Sequence, residues 1–159
     1  MGIYVGFTET TVSGNYHNAD AVDKVIKYIL KKKSRCPNKY NIFGSIGTYH
    51  KKIPKIIDDF KKTKEIHEKN DGVQIKHLII SFEKTPEISP QKLEKLIIRV
   101  LRTFSRDFQL VYAVHEDTDN LHIHVGINSV SFTGKKFDFV NRDMWKFQKR
   151  VKRIFEDYI

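Results

Sequence analysis

A single cysteine, Cys36, stands among 159 residues. It excludes an intramolecular disulfide and any cysteine-rich zinc module, and it suits a reducing compartment. No apolar run approaches the roughly 20 residues that a membrane-spanning helix needs, and Met1 leads into no signal peptide. Prolines number four and glycines eight, falling singly between periodic stretches, so no linker divides the chain. Nothing repeats at a fixed period, and no segment is low in complexity. Acidic residues are also short: 19 Asp and Glu against 29 Lys and Arg leave a formal charge of +10. What remains is one soluble, basic, cytoplasmic domain over residues 1–159. Its 40% hydrophobic and 12% aromatic residues suffice for a core. An excess of positive charge on this scale points to a polyanionic partner, nucleic acid first.

Hydrophobic spacing predicts the elements. Ile3 to Phe7 reads as a first strand, and Asp20 as the cap of a helix reaching about Lys33, with Val22, Val25, Ile26, Ile29 and Leu30 as its apolar stripe. Tyr40 to Ile46 is a weaker strand candidate. Ile53, Ile56, Ile57 and Phe60 mark a helix starting near Pro54, and Gln74 to Phe82 a strand with an apolar centre. Ser89 and Pro90 open a helix carrying Leu93, Leu96, Ile97, Val100, Leu101 and Phe104 on one face. Phe108 to His115 and Leu121 to Val130 are strands joined by the turn-rich Glu116 to Asn120, and a last helix spans about Arg142 to Tyr158. The order β-α-β-α-β-α-β-β-α with a closing hairpin predicts an α/β (α+β) fold. We expect a two-layer sandwich, with helices packed on a central, largely antiparallel sheet.

The chemistry gathers in that hairpin. Side chains alternate along a strand, so Leu121, Ile123, Val125 and Ile127 share a buried face while His122, His124, Gly126 and Asn128 share the other. Two imidazoles at i and i+2 stand roughly 7 Å apart at the backbone, close enough to converge on one ion. The turn folds His115 back beside His122, and Gly126 leaves room for something bulky. A lone histidine on a strand is usually a solvated or hydrogen-bonded residue; three at one hairpin, with Asp117 near as an orienting group, read as a metal site. Nitrogen ligands with open positions suit zinc or manganese, or magnesium completed by substrate oxygens. The cation's job is that of a Lewis acid polarising a phosphoryl or carbonyl oxygen, phosphate first in so basic a chain.

Tyr28 lies roughly 130° from the centre of the first helix's apolar stripe, at the edge of the core. Taken alone it is an amphipathic boundary residue, with Tyr4, Tyr16, Tyr40, Tyr49, Tyr112 and Tyr158 as rivals for any nucleophilic role.

With these residues in view, the sequence resembles the conjugative relaxases of the P-type mobilisation group, within the HUH (histidine–hydrophobic–histidine) endonucleases. Val25-Ile26-Lys27-Tyr28-Ile29 looks like the family's nucleophile helix, with Tyr28 as catalytic tyrosine. His77-Leu78-Ile79-Ile80-Ser81-Phe82 is similar to a second motif, whose serine (Ser81 here) helps hold DNA beside the scissile phosphate. Ala113 through Asn128 is similar almost residue for residue to the metal motif.

The resemblance implies that His115, His122 and His124 hold a divalent cation, magnesium or manganese. It further implies that Tyr28 forms a 5′-phosphotyrosine on single-stranded origin-of-transfer DNA, releasing a 3′-hydroxyl. Asp117, directly or through an imidazole, is the candidate proton acceptor, and Asn128 a site-shaping residue beside the DNA. The implied partners are that DNA, accessory relaxosome proteins and the coupling protein of a secretion system. Two departures stand out. Relaxases of this group usually continue into a further domain, whereas this chain stops after one helix, as a trimmed domain or a naturally minimal protein. Thr8 to Asn18 also carries no pattern that aligns.

Lys31, Lys32, Lys33 and Arg35 follow the Tyr28 helix directly and are expected to contact phosphate. Lys61, Lys62 and Lys64 close the second helix, and Lys146, Lys149, Arg150, Lys152 and Arg153 face away from the last helix's apolar stripe. Arg142 and Trp145 fit stacking on an unpaired base or a peripheral core equally. Other functions compatible with these residues are a rolling-circle replication initiator or transposase with the same chemistry, a non-catalytic metal-stabilised nucleic-acid-binding module, and a metallo-hydrolase using water.

Overall fold

The structure, a computed structural model, describes residues 2–8, 10–11, 14–31, 40–116 and 120–159. The elements run β1 (Ile3–Thr8), β2 (Thr10–Thr11), β3 (Gly14–Asn15), α1 (Ala21–Lys31), β4 (Phe43–Ile46) and α2 (Ile53–Ile66). There follow β5 (Ile75–Phe82), α3 (Pro90–Ser105), β6 (Leu110–His115), β7 (His122–Asn128) and α4 (Asn141–Phe155), with a closing 3-10 turn at Glu156–Tyr158. Apart from the two-residue strands β2 and β3, too short to show any alternation, this is the expected order. Ser89 caps α3 as expected, its side chain accepting from the Lys92 N–H at 3.3 Å, with Pro90 in the first turn. The strand expected from Tyr40 begins only at Phe43. Asn41 takes a left-handed conformation (φ 45°) that no strand continues through. Tyr40 and Ile42 are still core residues, and the Tyr40 hydroxyl donates to Pro86 O.

Five strands form one sheet in the order β1-β5-β7-β6-β4, every neighbouring pair antiparallel. The histidine strand β7 is therefore central, flanked by β5 and β6. One face carries Ile3 and Val5 from β1, Leu78, Ile80 and Phe82 from β5, and Ile123, Val125 and Ile127 from β7, packed under α3 and α4. The opposite face is covered by α1 and α2, which bury Val22, Val25, Ile26, Ile29, Ile56, Ile57 and Phe60 with Ile75, Val111 and Ala113.

The α+β class and the antiparallel sheet are as expected; the two-layer count is not. Helices cover both faces, giving three layers. Two pairs of amphipathic helices each need an apolar surface, and the sheet offers one on either side. Periodicity within a helix reveals its apolar stripe but not which face of the sheet receives it.

The sequence's basic run at the end of α2 is not one solvated face. Lys61 pairs with Asp23 of α1 at 2.6 Å, whereas Lys64 is 2% exposed and donates to Ser129 Oγ at 2.7 Å. Burial, with repulsion from Lys136 added, pushes the Lys64 ammonium down to about 7. Between that value and the ordinary lysine range the unfolded chain binds the extra proton, so Lys64 makes stability rise with pH across this window. Replacing it by Met removes the buried charge at similar volume. Thermal melts from pH 6 to 10 should show Lys64→Met more stable than wild type at pH 6–7, with the two converging as pH rises. Each kcal/mol corresponds to about 2–4 °C. A constant offset across the range would contradict this.

Candidate active site

The register builds the site rung by rung. Ser81, His122 and His115 lie side by side across β5, β7 and β6; Ile79, His124 and Ala113 form the next rung, and His77, Gly126 and Val111 the third. All point to the face under α1. His124 is flanked diagonally by His115, ring centroids 4.2 Å apart, and by His77 at 5.1 Å, while His122 sits at the rim with its ring 6.1 Å from His124.

Tyr28 lies half-buried on the inner side of α1, and its ring meets three imidazoles edge-on: His124 at 5.6 Å, His115 at 5.7 Å and His77 at 5.9 Å. Of the rival tyrosines, Tyr40 and Tyr112 belong to the opposite core, Tyr158 packs against it, and Tyr49 is almost wholly exposed in the β4–α2 connection. Tyr4 lies exposed on the edge strand β1. Tyr16 reaches the cluster, but its buried hydroxyl bonds to His77 Nδ1 at 3.1 Å, and burial pushes it up to about 12.

What brings Tyr28 down onto the histidines is Gly126. A Cβ there would stand 3.0 Å from Val111 Cγ2, 3.1 Å from Ile29 Cδ1 and 3.2 Å from Ile75 Cδ1. The bulky neighbour for which Gly126 leaves room is thus helix α1 itself, through Ile29, the residue after Tyr28.

Hydrogen bonds orient the rings. His115 Nε2 lies 2.9 Å from the carbonyl of Ile29, which ties the ring to the tyrosine helix. His124 Nδ1 lies 2.9 Å from His77 Nε2, and the chain continues through His77 Nδ1 to the Tyr16 hydroxyl. With these contacts a cation would be taken by His115 through Nδ1 and by His124 through Nε2. Burial first, and the charge of neighbouring His115 second, push His77 down to about 4, so it stays neutral at physiological pH. A neutral His77 can pair with His124 Nδ1 as the second group that orients a metal-binding imidazole.

His77 was legible as part of a motif, but sequence reasoning assigned it no role. The signal was its spacing from Ser81: residues 77, 79 and 81 of one strand share a face, and that face is the histidines' own.

Among the described residues no three His, Cys, Asp or Glu side chains already stand as a closed metal cage. Within the trio, the rings of His115 and His124 stand 4.2 Å apart and that of His122 6.1 Å from His124. The donor chemistry fits: imidazoles from two paired strands, with His77 hydrogen-bonded behind one of them.

Ser81 is half-buried directly beside His122, and Lys31 is exposed at the end of α1, one turn beyond Tyr28. Asn128 goes elsewhere. It is wholly buried, its Nδ2 donating to Phe60 O at 3.1 Å and to Gln109 Oε1 at 2.9 Å. The DNA contact expected of it is therefore not open to its side chain; it pins α2 to the far end of the sheet. Asp117, Lys32, Lys33 and Arg35 lie outside the described residues.

Fold and site together define a class: an antiparallel α+β domain whose central histidine hairpin lies beneath a tyrosine-bearing helix. Within that class the chain belongs to the family described as "Relaxase: MobA/VirD2-like, nuclease domain", whose model matches residues 16–159. Among curated proteins it is similar to Protein rlx of Staphylococcus aureus, 35% identical over 80 residues that make up 50% of this chain and 24% of that protein. It is also similar to Protein MobA of Acidithiobacillus ferrooxidans, 35% identical over 83 residues (50% of this chain, 20% of that protein). With Protein TraI of Escherichia coli it shares 29% identity over 79 residues, 49% of this chain and 11% of that protein. The matched stretch thus spans about a quarter or less of these relatives. Nuclease domains of this family are generally metal-dependent. Among the described residues no helix is long and apolar enough to cross a membrane.

Two substitutions probe the geometry. His77→Phe keeps the ring's bulk and removes both hydrogen bonds; it should weaken manganese binding by about 10–100-fold in titration calorimetry, with His77→Gln recovering part of the loss. Unchanged affinity would show that His77 only fills space. Gly126→Ala should cost about 1–3 kcal/mol by forcing α1 off the sheet. A denaturation midpoint equal to wild type would show that the helix moves freely.

Proposed function

We propose that the chain nicks and rejoins single-stranded DNA at a transfer origin, with Tyr28 as the nucleophile of a transesterification. The observation that carries this reading is the Tyr28 ring resting edge-on against His115, His124 and His77, on a helix tied through Ile29 O to His115. A residue needed only for packing is not required to face three imidazoles.

His115, His122 and His124 would hold a divalent cation, magnesium or manganese, and that cation would supply Lewis-acid stabilisation of the charge developing on the scissile phosphate. Tyr28 Oη attacks the phosphorus; its new bond to phosphorus forms as the bond to the 3′-oxygen breaks, leaving a 5′-phosphotyrosine. The phenol proton passes to Asp117, directly or through an imidazole, and the departing 3′-oxygen takes up a proton to become a hydroxyl. Because one phosphoester replaces another, the same hydroxyl reverses the reaction without ATP. Ser81 steadies the strand beside the phosphate, and Lys31, Lys32, Lys33 and Arg35 pair with its backbone. In the cell this chemistry belongs in the cytoplasm, with accessory relaxosome proteins and the coupling protein of a secretion system as partners. Lengths comparable to the relatives' own would carry those contacts.

The test uses labelled single-stranded oligonucleotides tiled across the replicon that carries the chain, with manganese or magnesium. A denaturation-resistant protein–DNA adduct should form with wild type and be absent with Tyr28→Phe. Cleavage that survives Tyr28→Phe would instead identify a metallo-hydrolase, and binding without cleavage a non-catalytic module. Full metal affinity in His122→Ala would remove that residue from the ligand set.

A further inference from the structure

The α3/α4 layer, on the opposite side of the sheet from Tyr28 and the histidines, presents a concentration of positive charge that the nicking site does not use. On α4, Arg142, Lys146, Lys149 and Arg153 are all exposed. At about 100° per residue they fall within a band of about 60°, on the other side of the helix from the buried Phe147, Val151, Ile154 and Phe155. On α3, Lys95, Arg99 and Arg102 are likewise exposed, across from the buried Leu93, Ile97 and Leu101. Arg150 joins the two rows by donating from Nη2 to the carbonyl of Arg99 at 2.8 Å. Among the described residues none of the ion pairs involves a cation of this face. Two of the neighbouring acids are engaged elsewhere: Asp143 accepts from the Val140 N–H that precedes α4, and Glu94 accepts from the Tyr112 hydroxyl; Glu156 and Asp157 lie beyond Arg153, at the far end of the row.

Seven like charges on two adjoining helices repel one another, an arrangement that a bound polyanion relieves. We propose that this face docks double-stranded DNA through its phosphates, without reading sequence, as a second nucleic-acid site apart from the strand-nicking face. Duplex DNA carries one negative charge per roughly 1.7 Å of axis, a density that two rows of cations about a helix diameter apart can match. A membrane surface is the poorer fit. The large apolar side chains exposed on α4 and at its cap are Trp145 and Val140, and the Trp145 ring is covered by Lys149 Nζ at 3.7 Å, which leaves little to insert among acyl chains. A duplex held here would keep the unpaired strand tethered to the molecule while the other face handles it. The proposal does not depend on Tyr28 being the nucleophile.

The experiment uses a 30-base-pair duplex of arbitrary sequence, so it requires neither a known nick site nor activity. Fluorescence anisotropy across a salt series compares wild type with Lys146→Glu/Lys149→Glu/Arg153→Glu. A control of equal net charge, Lys52→Glu/Lys55→Glu/Lys62→Glu at the N-cap and exposed face of α2, accompanies it; circular dichroism melts confirm that both variants fold. The α4 variant should lose at least tenfold in affinity, and its slope of log K against log salt should fall by about 3, near 0.9 per lost phosphate contact, while the control keeps the wild-type slope. Equal loss in both variants would reduce the effect to net charge and overturn the proposal. So would unchanged binding by the α4 variant, or wild-type preference for phosphatidylserine vesicles over the duplex.

Discussion

The close approach of α1 to the sheet over Gly126 is the constraint on which the rest of the structure turns. A helix packed at an ordinary distance would hold a tyrosine above the sheet at the level of solvent. Here the missing Cβ lets Ile29 enter between Val111 and Ile75, and Tyr28, one residue earlier, comes down to the imidazole rings. The carbonyl of the same Ile29 receives His115. The contact that seats the helix and the contact that orients a histidine are therefore adjacent, and neither element can shift without disturbing the other. Interiors packed at this density respond to an added methyl group by strain rather than by yielding.

The sheet divides its labour by face. The α3/α4 side is almost wholly apolar and closed by interlocking rings, Phe82 on Phe155 at 4.9 Å and Phe104 on Phe147 at 5.0 Å. The α1/α2 side mixes apolar residues with the histidines, which lie beneath Tyr28 of α1. Placing imidazoles there has an electrostatic consequence. Burial disfavours the charged form of His77 and pushes it down to about 4, so it backs His124 as a neutral ring. The chain from Tyr16 through His77 to His124 extends the site one layer deeper into the protein, where hydrogen bonds replace water in fixing a ring's orientation.

Much of this was legible residue by residue. The alternation in 121–128 separated Ile123, Val125 and Ile127 from His122 and His124, because a strand's period is set by backbone geometry alone. The stripes of α1 and α3 and the Ser89 cap were equally local. Less was legible where several elements meet. Tyr28 at the margin of its helix's stripe was ambiguous by itself, since the angle of a side chain on a helix says nothing of what lies opposite. Asn128 shares a face with His124, so alternation placed it with the site; the structure buries it against Phe60 and Gln109 at the far end of the same strand. Lys64 stands in the sequence as one of three lysines closing α2, though the helix winds this third one into the interior.

By itself the sequence determined the elements, their order, the hairpin that pairs His115 with His122, and a motif pattern specific enough to indicate the family. These follow from interactions over a few residues or across one tight turn. Only the tertiary structure decided the three layers, the seating of α1 in the gap over Gly126, the partnership of His77 with His124, and the separation of the cation-rich α3/α4 face from the histidine face. Each depends on residues tens of positions apart meeting across the sheet. The physical reason is that a side chain's period fixes its direction relative to its own backbone, while its neighbours are chosen by how whole elements bury their apolar surfaces against one another.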